Sequence, residues 1–384
     1  MNKTIIVATA IFAAIASAPV SADWSIIGLG TLGGKHSFAY DINDSGQVVG
    51  SSYVSGANFS QHAFVTGPDG LAIKDLGTFG GTYSSANGIN NLGQVVGLSS
   101  LSGNLTAHAF IADANNLSAM VDLGTIGTHR LSGSSAVDIN ESGQIVGTYG
   151  SYSLWNPHPF ITDSNGSNMT SIPVSLGRST VGINDNGLVL SARSVFDTNS
   201  GLNTHLGTLG GNKSIGYDIN NSDQMVGGSG SATGWHAFIK NGISDSMIDL
   251  GTLGGSYSNA TGINDLGQVI GVADTLSLER HAFLYSHGGM TDLSLLDPVI
   301  TGGWSNLYVS AINNNNQIAG YGKNLEGNIE AFILSYTPDT IFTPQPIFVP
   351  DFKTLTPVPE PSTYAMLLAG LGLVGFMVRR QAGV

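Results

Sequence analysis

One phrase recurs seven times along this chain, and a chain built that way must fold as an array of like units. Its first copies run Asp41-Ile-Asn-Asp-Ser-Gly-Gln-Val-Val-Gly50, Gly88-Ile-Asn-Asn-Leu-Gly-Gln-Val-Val-Gly97 and Asp138-Ile-Asn-Glu-Ser-Gly-Gln-Ile-Val-Gly147. Altered copies begin at Gly182, Asp218, Gly262 and Ala311. The central asparagines are Asn43, Asn90, Asn140, Asn184, Asn220, Asn264 and Asn313, at steps of 47, 50, 44, 36, 44 and 49 residues. A second phrase follows all but the fourth copy: His62-Ala-Phe64, His108-Ala-Phe110, His158-Pro-Phe160, His236-Ala-Phe238, His281-Ala-Phe283 and Glu330-Ala-Phe332. A third, Asp75-Leu-Gly-Thr-Phe-Gly-Gly81 and its relatives at Asp122, His205 and Asp249, follows that. A lone Gly28-Leu-Gly-Thr-Leu-Gly-Gly34 precedes the first complete unit.

Each unit reads as four short strands. In the second, Ser84–Ile89, Gln94–Ser99, Ala107–Ala112 and Ser118–Leu123 are β-rich runs separated by Gly, Asn and Ser, with no helical period. Asn90 to Gly93 is a turn, because Asn bonds its own backbone and Gly tolerates positive φ. Four strands in about 45 residues is the size of a β-propeller blade. The expected fold is therefore all-β, a seven-bladed β-propeller over residues 23–336. The last unit lacks a fourth strand, and Trp24–Leu29 is an orphan strand at the N-terminus. That strand is expected to close the last blade and remove an exposed sheet edge. An open β-solenoid is the competing architecture.

The two ends carry addresses. Residues 1–22 read as a cleavable secretory signal: Lys3, an apolar stretch from Ile5 to Ile15, then Val20-Ser21-Ala22. Residues 337–357 form a Pro-rich linker. Residues 358–384 hold Pro359-Glu360-Pro361, an apolar transmembrane segment at 364–378, and Arg379-Arg380. The segment has 15 residues against the ~20 of an ordinary span, so local thinning and snorkelling arginines must complete it. Arg379 and Arg380 would stay cytoplasmic.

This tail resembles the PEP-CTERM sorting signal of Gram-negative bacteria. The resemblance implies recognition and removal by an exosortase-type processing enzyme. It also implies transient anchoring in the inner membrane, then delivery to the cell surface or exopolysaccharide matrix. The repeats resemble the HAF-repeat family of extracellular proteins, named for the His-Ala-Phe phrase; the fourth unit departs from it, with Leu188 in place of Gln. That family brings no activity with it.

The repeated residues read as architecture. Asp41-x-Asn43-x-Ser45-Gly46 looks like the start of a calcium loop, but the twelfth position holds Ser52 where a bidentate Glu is needed. The histidines fall one per blade and cannot converge on one ion, and no second His or carboxylate keeps a fixed spacing to them. No cofactor and no metal is expected. With no Cys, thiol and iron–sulfur chemistry is excluded. A net charge of −13 argues against nucleic acid. No catalytic constellation is visible, and the function expected is that of a noncatalytic surface or matrix protein binding exopolysaccharide or protein. Its candidate ligand contacts are Tyr53, Tyr152, Trp155, Trp235 and Trp304, aromatics in connections between the repeated strands. The alternative is a secreted polysaccharide hydrolase or lyase, which would need carboxylates such as Asp197, Asp274 and Asp297 to converge.

Overall fold

A computed structural model describes residues 23–56, 60–116, 120–127, 131–151, 157–172 and 180–337. The signal segment 1–22, Tyr152, Trp155 and the sorting tail with its transmembrane segment lie outside the described residues. The strands all belong to the first of two compact units, Met1–Asp339.

The second repeat shows how the phrases become strands. Gly80–Ile89, Gln94–Leu101, Ala107–Asp113 and Val121–Gly124 pair as an antiparallel meander. Asn90 shapes the turn between the first two: its Oδ1 accepts the Gln94 N–H at 2.9 Å, and Gly93 takes φ +80°. Where the Gly is replaced, Asp223 and Asn316 occupy the same left-handed conformation, each with φ 61°. These are the residue types that tolerate it with least strain.

The other repeats are built alike. Two pairs of consecutive meanders join into longer sheets, each through a single parallel pair, Gln61 with Tyr83 and Trp235 with Tyr257. The fourth repeat keeps four strands in shortened form, Thr180–Ile183, Leu188–Ser191, Ser194–Asp197 and Asn203–His205. The last repeat supplies Ser305–Ile312, Gln317–Lys323 and Ile329–Thr337. The orphan N-terminal run, Asp23–Gly30, lies antiparallel on Ile329–Thr337 and completes that sheet.

Each first strand carries a bulge just before the Asn turn, for example between Ala39 and Asp41. The bulge brings the backbone so close that Gly is required opposite it. A Cβ on Gly50, Gly97 or Gly271 would overlap the carbonyl oxygen of Phe38, Ser85 or Asn259. The terminal Gly of the first phrase is thus a steric necessity. Only the fourth repeat departs from it, with Ser191 at that place.

The core runs between neighbouring repeats. Phe64, Phe110, Phe160, Phe238, Phe283 and Phe332 are all 0% exposed. Phe110 packs with Val49, Val65 and Ile89, which come from two repeats. Burying one such ring contributes about 1.5–3 kcal/mol. One repeat alone would leave its Phe half-covered, so the array must stack.

Candidate functional site: a polar channel ringed by the repeated turns

The Asn turns do more than reverse the chain. Asn43 Nδ2 donates to the carbonyl of Asn90 at 3.1 Å, and Asn90 to Asn140 at 3.1 Å. The series continues through Asn184, Asn220, Asn264 and Asn313. Asn313 then donates to Asn43 at 2.9 Å, closing the circuit. The residue after each Asn builds a second circuit. The Asp44 N–H donates to Asn91 Oδ1 at 2.8 Å and the Asn91 N–H to Glu141 Oε1 at 2.9 Å. Asp185, Asn221, Asp265 and Asn314 follow, and the Asn314 N–H returns to Asp44 Oδ1 at 2.8 Å. Among the described residues no sheet closes on itself; the circuit closes through these side chains.

The rings enclose a polar channel lined by all seven turns. Three carboxyls sit deepest. Asp41 Oδ1 accepts its own neighbour's Ile42 N–H at 2.8 Å, while Oδ2 accepts Ile89 N–H from the next repeat at 2.9 Å. Asp138 bridges Ile139 and Ile183 in the same way, and Asp218 bridges Ile219 and Ile263. The intervening repeats carry Gly88, Gly182 and Gly262 at that position. A Cβ on Gly182 would sit 3.3 Å from Asp138 Oδ2, so the small residue leaves room for the reaching carboxyl. The alternation of Asp and Gly is legible in the sequence and was the signal for this triad.

Burial dominates their ionisation. It pushes Asp218 up to about 7 and Asp138 up to about 6, against the lowering effect of the two backbone bonds. Asp41 is raised well above the usual carboxylate range, by burial first and then by the charge of Asp138. Glu141 is raised less, also mainly by burial. Chemically, the three Asp are carboxyls that resist ionisation, each with one oxygen engaged by an N–H of its own repeat and the other by an N–H of the next.

The structure changes the account of the histidines. His62 Nδ1 lies 2.9 Å from Asp75, His108 2.9 Å from Asp122, His236 2.8 Å from Asp249 and His281 2.7 Å from Asp292. The carboxylate partner absent from the sequence reading is an Asp on the adjacent strand, which opens the third phrase at Asp75, Asp122 and Asp249 and stands alone at Asp292. The His-to-Asp separations are 13, 14, 13 and 11 residues, because the intervening loops differ in length. The last repeat inverts the arrangement. Glu330 replaces His, Gly28 replaces Asp, and Glu330 Oε1 accepts the Gly30 N–H at 3.0 Å. Asp75 performs that task for Gly77 at 2.7 Å. A serine of the next repeat locks four of the junctions, through Ser37, Ser84, Ser134 and Ser258; Ser84 Oγ accepts the Ala63 N–H at 2.7 Å and donates to the Gly77 carbonyl at 2.5 Å.

The calcium-like phrase is occupied as a turn. Asn43 Oδ1 accepts the N–H groups of Ser45 and Gln47. Among the described residues no group of three or more His, Asp or Glu is arranged to hold a metal ion. The predicted aromatics stand apart. Tyr53 meets His36 edge-on at 5.8 Å, Trp304 packs on the core ring of Phe332 at 5.5 Å, and Trp235 Nε1 donates to Asn259 at 3.2 Å. Asp197, Asp274 and Asp297 are also separate. Asp197 accepts from Ser200, Asp274 pairs with Arg280 at 2.9 Å, and Asp297 begins a short helix.

Among solved structures, the β-propeller domain of the Trilobed protease from Pyrococcus furiosus, described as having an open velcro topology, matches with a TM-score of 0.52. It is 10% identical, over 79% of this chain and 99% of that one. The fold is a β-propeller. An oligogalacturonate lyase in complex with manganese also matches at TM-score 0.52 and 10% identity, over 83% of this chain and 96% of that one. The oligogalacturonate lyase of Vibrio parahaemolyticus gives the same score and identity, over 83% and 98%. At such identity the likeness concerns the propeller scaffold alone. No curated protein matches in sequence. Residues 83–237 match a family described as a protein of unknown function, DUF3466. Residues 357–381 match the PEP-CTERM protein-sorting motif. The propeller therefore belongs to an exported protein, handled by an exosortase-type enzyme after transient anchoring through its tail.

Proposed function

We propose that this chain is a noncatalytic surface or matrix protein whose propeller, of seven blades, binds exopolysaccharide or protein. The observation that carries the reading is the closed Asn circuit with its Ser and His–Asp junctions. The polar residues of the repeated phrases are engaged in holding blades together, which leaves binding to the positions where repeats differ. On this reading residues 1–22 are removed as a secretory signal, the tail is removed by the exosortase-type enzyme, and the repeats are of the HAF type. Retention of the full chain on the producer's exopolysaccharide, above an unrelated acidic propeller, tests it. Equal retention of the two would overturn it.

A second reading, a polysaccharide hydrolase or lyase, is favoured by one observation: Asp41, Asp138 and Asp218 converge on a single channel. It requires that the protein depolymerise a polysaccharide and that Asp218→Asn abolish this. No new reducing or unsaturated ends from neutral or uronate polymers would exclude it.

A further inference from the structure

The bridging carboxyls serve the ring two repeats at a time, and seven repeats cannot be divided that way. An isoleucine stands just before each Asn turn. At Ile42, Ile89, Ile139, Ile183, Ile219 and Ile263 its N–H is taken by an oxygen of Asp41, Asp138 or Asp218, at 2.8 or 2.9 Å. Three Asp thus cover six repeats. The seventh has Ala311 at the Asp position and the sixth has Gly262, so neither offers an oxygen to Ile312.

Sheet register fixes where the Ile312 N–H points. The Asn313 N–H donates across the hairpin to the Gln317 carbonyl at 3.0 Å. Ile312 pairs with Ile318 one step farther along. Bonding alternates along an antiparallel ladder, so the Ile312 N–H turns away from that partner. Ile42 does the same opposite Val48, where its N–H meets Asp41. Ala311 and Ile312 line the channel, and Ile312 is 7% exposed. Among the described residues the Ile312 N–H has no acceptor. A buried donor so placed calls for an acceptor from outside the chain.

The mouth of the same channel has open acceptors. Glu141 Oε1 takes the Asn91 N–H and Asp185 Oδ1 takes the Glu141 N–H, but Glu141 Oε2 and Asp185 Oδ2 receive no donor among the described residues. Elsewhere on the rim the second oxygen is used: Asp44 Oδ2 accepts from Asn91 and Asn314, and Asp265 Oδ2 from Asn314.

We propose that the channel binds an uncharged, hydroxylated ligand, the terminal sugar of a neutral glycan, with the Ile312 N–H donating to one of its hydroxyls. The proposal deepens the glycan-binding reading above and rests on it. A cation cannot accept from an N–H. An anion would meet the carboxylates of Asp44, Glu141, Asp185 and Asp265 at the mouth. A hydroxyl accepts from an N–H and donates to a carboxylate, so a sugar answers both sets of open groups. The channel encloses about 170 Å³, under the roughly 300 Å³ of a drug-sized pocket, which suits one unit at a chain end.

The test follows the Ile312 amide by NMR in the full chain. Isotope labelling of isoleucine nitrogen together with alanine carbonyl selects Ile73 and Ile312 alone within residues 23–337. The probes are methyl glucoside, methyl galactoside and methyl mannoside, with galacturonate as the anionic counterpart. At least one neutral glycoside should move Ile312 saturably and leave Ile73 in place. It should bind about ten-fold more weakly to Ala311→Asp, which supplies Ile312 with the acceptor that Asp41 gives Ile42. If that variant melts early, Glu141→Gln, which keeps an acceptor for the Asn91 N–H, should weaken the same glycoside several-fold. Unchanged affinity in the folded variants, or an Ile312 shift that grows without saturation for every glycoside, would overturn the site while leaving exopolysaccharide binding intact. Tighter binding of galacturonate would overturn the uncharged class. Failure of the wild-type chain to bind any polysaccharide, the producer's included, would overturn both.

Discussion

Asn313 donates a hydrogen bond from Nδ2 to the backbone carbonyl of Asn43, 270 residues earlier in the chain, at 2.9 Å. This bond links the last repeat to the first, and its Oδ1 holds the Asn313 turn by accepting from Asn315 and Gln317. Asn313→Ala removes both functions. A loss of about 2–3 kcal/mol is expected from the unsatisfied backbone groups, measured by urea unfolding. An unchanged midpoint would show that the side-chain circuit adds nothing to the stacking of Phe rings.

The strand Asp23–Gly30 covers the edge of Ile329–Thr337. A chain lacking residues 23–30 should expose that edge and self-associate. Light scattering of the truncated and intact proteins at equal concentration checks this. A truncated chain that stays monomeric and melts with the wild type would contradict it.

The acidic triad sets a pH dependence. Asp138 and Asp218 have folded values of about 6 and about 7, above their ordinary value of 3.8. A raised folded value means that the folded state holds the proton more tightly than the unfolded chain. The stability contributed is complete below the unfolded value and is lost as pH rises through the folded one. The melting temperature should therefore fall as pH rises from about 4 to about 7. Asp218→Ala should flatten that slope while lowering stability at pH 5 through loss of the bond to Ile263.

Glu330 and Gly28 act as a swapped His–Asp pair. A Cβ on Gly28 would lie 2.6 Å from Glu330 Oε1, so the two positions are coupled. Glu330→His alone should destabilise by about 1–2 kcal/mol, because the Gly30 N–H loses its acceptor. Adding Gly28→Asp should restore part of that loss by recreating the arrangement of His62 and Asp75. Additive losses in thermal melts would refute the coupling.

Gly97 sits where any side chain would strike the Ser85 carbonyl. Gly97→Ala should cost about 1–3 kcal/mol by forcing the bulge apart. Gly103, which has nothing within 4 Å of an added Cβ, gives a comparison in which only its φ of +88° resists substitution. A smaller loss at Gly103 than at Gly97 would separate the steric cost from the conformational one.

Much of the candidate site was visible in pattern but not in partnership. The alternation of Asp41, Gly88, Asp138, Gly182, Asp218 and Gly262 was there to see, yet it spoke against calcium before it spoke for a bridging triad. The covariation of Glu330 with Gly28 was equally visible. Neither carries meaning until the strands are paired, because each bond joins residues brought together by sheet register or by stacking of repeats. Tyr53 and Trp235, read as aromatics in connections, lie instead within the strands Val48–Val54 and Trp235–Lys240, because strand ends are set by pairing across the sheet.

The sequence by itself determined the repeat, its strands and turns, the buried Phe of six units and the sorting address of the tail. These are local matters: turn chemistry, period-two burial and a short motif suffice for them. The tertiary structure decided which polar groups meet. Asn313 reaches Asn43, Asp41 reaches Ile89, and His62 finds Asp75 only after the meanders form and the repeats stack. A hydrogen bond needs its partners within about 3 Å, and sequence distance carries no information at that scale.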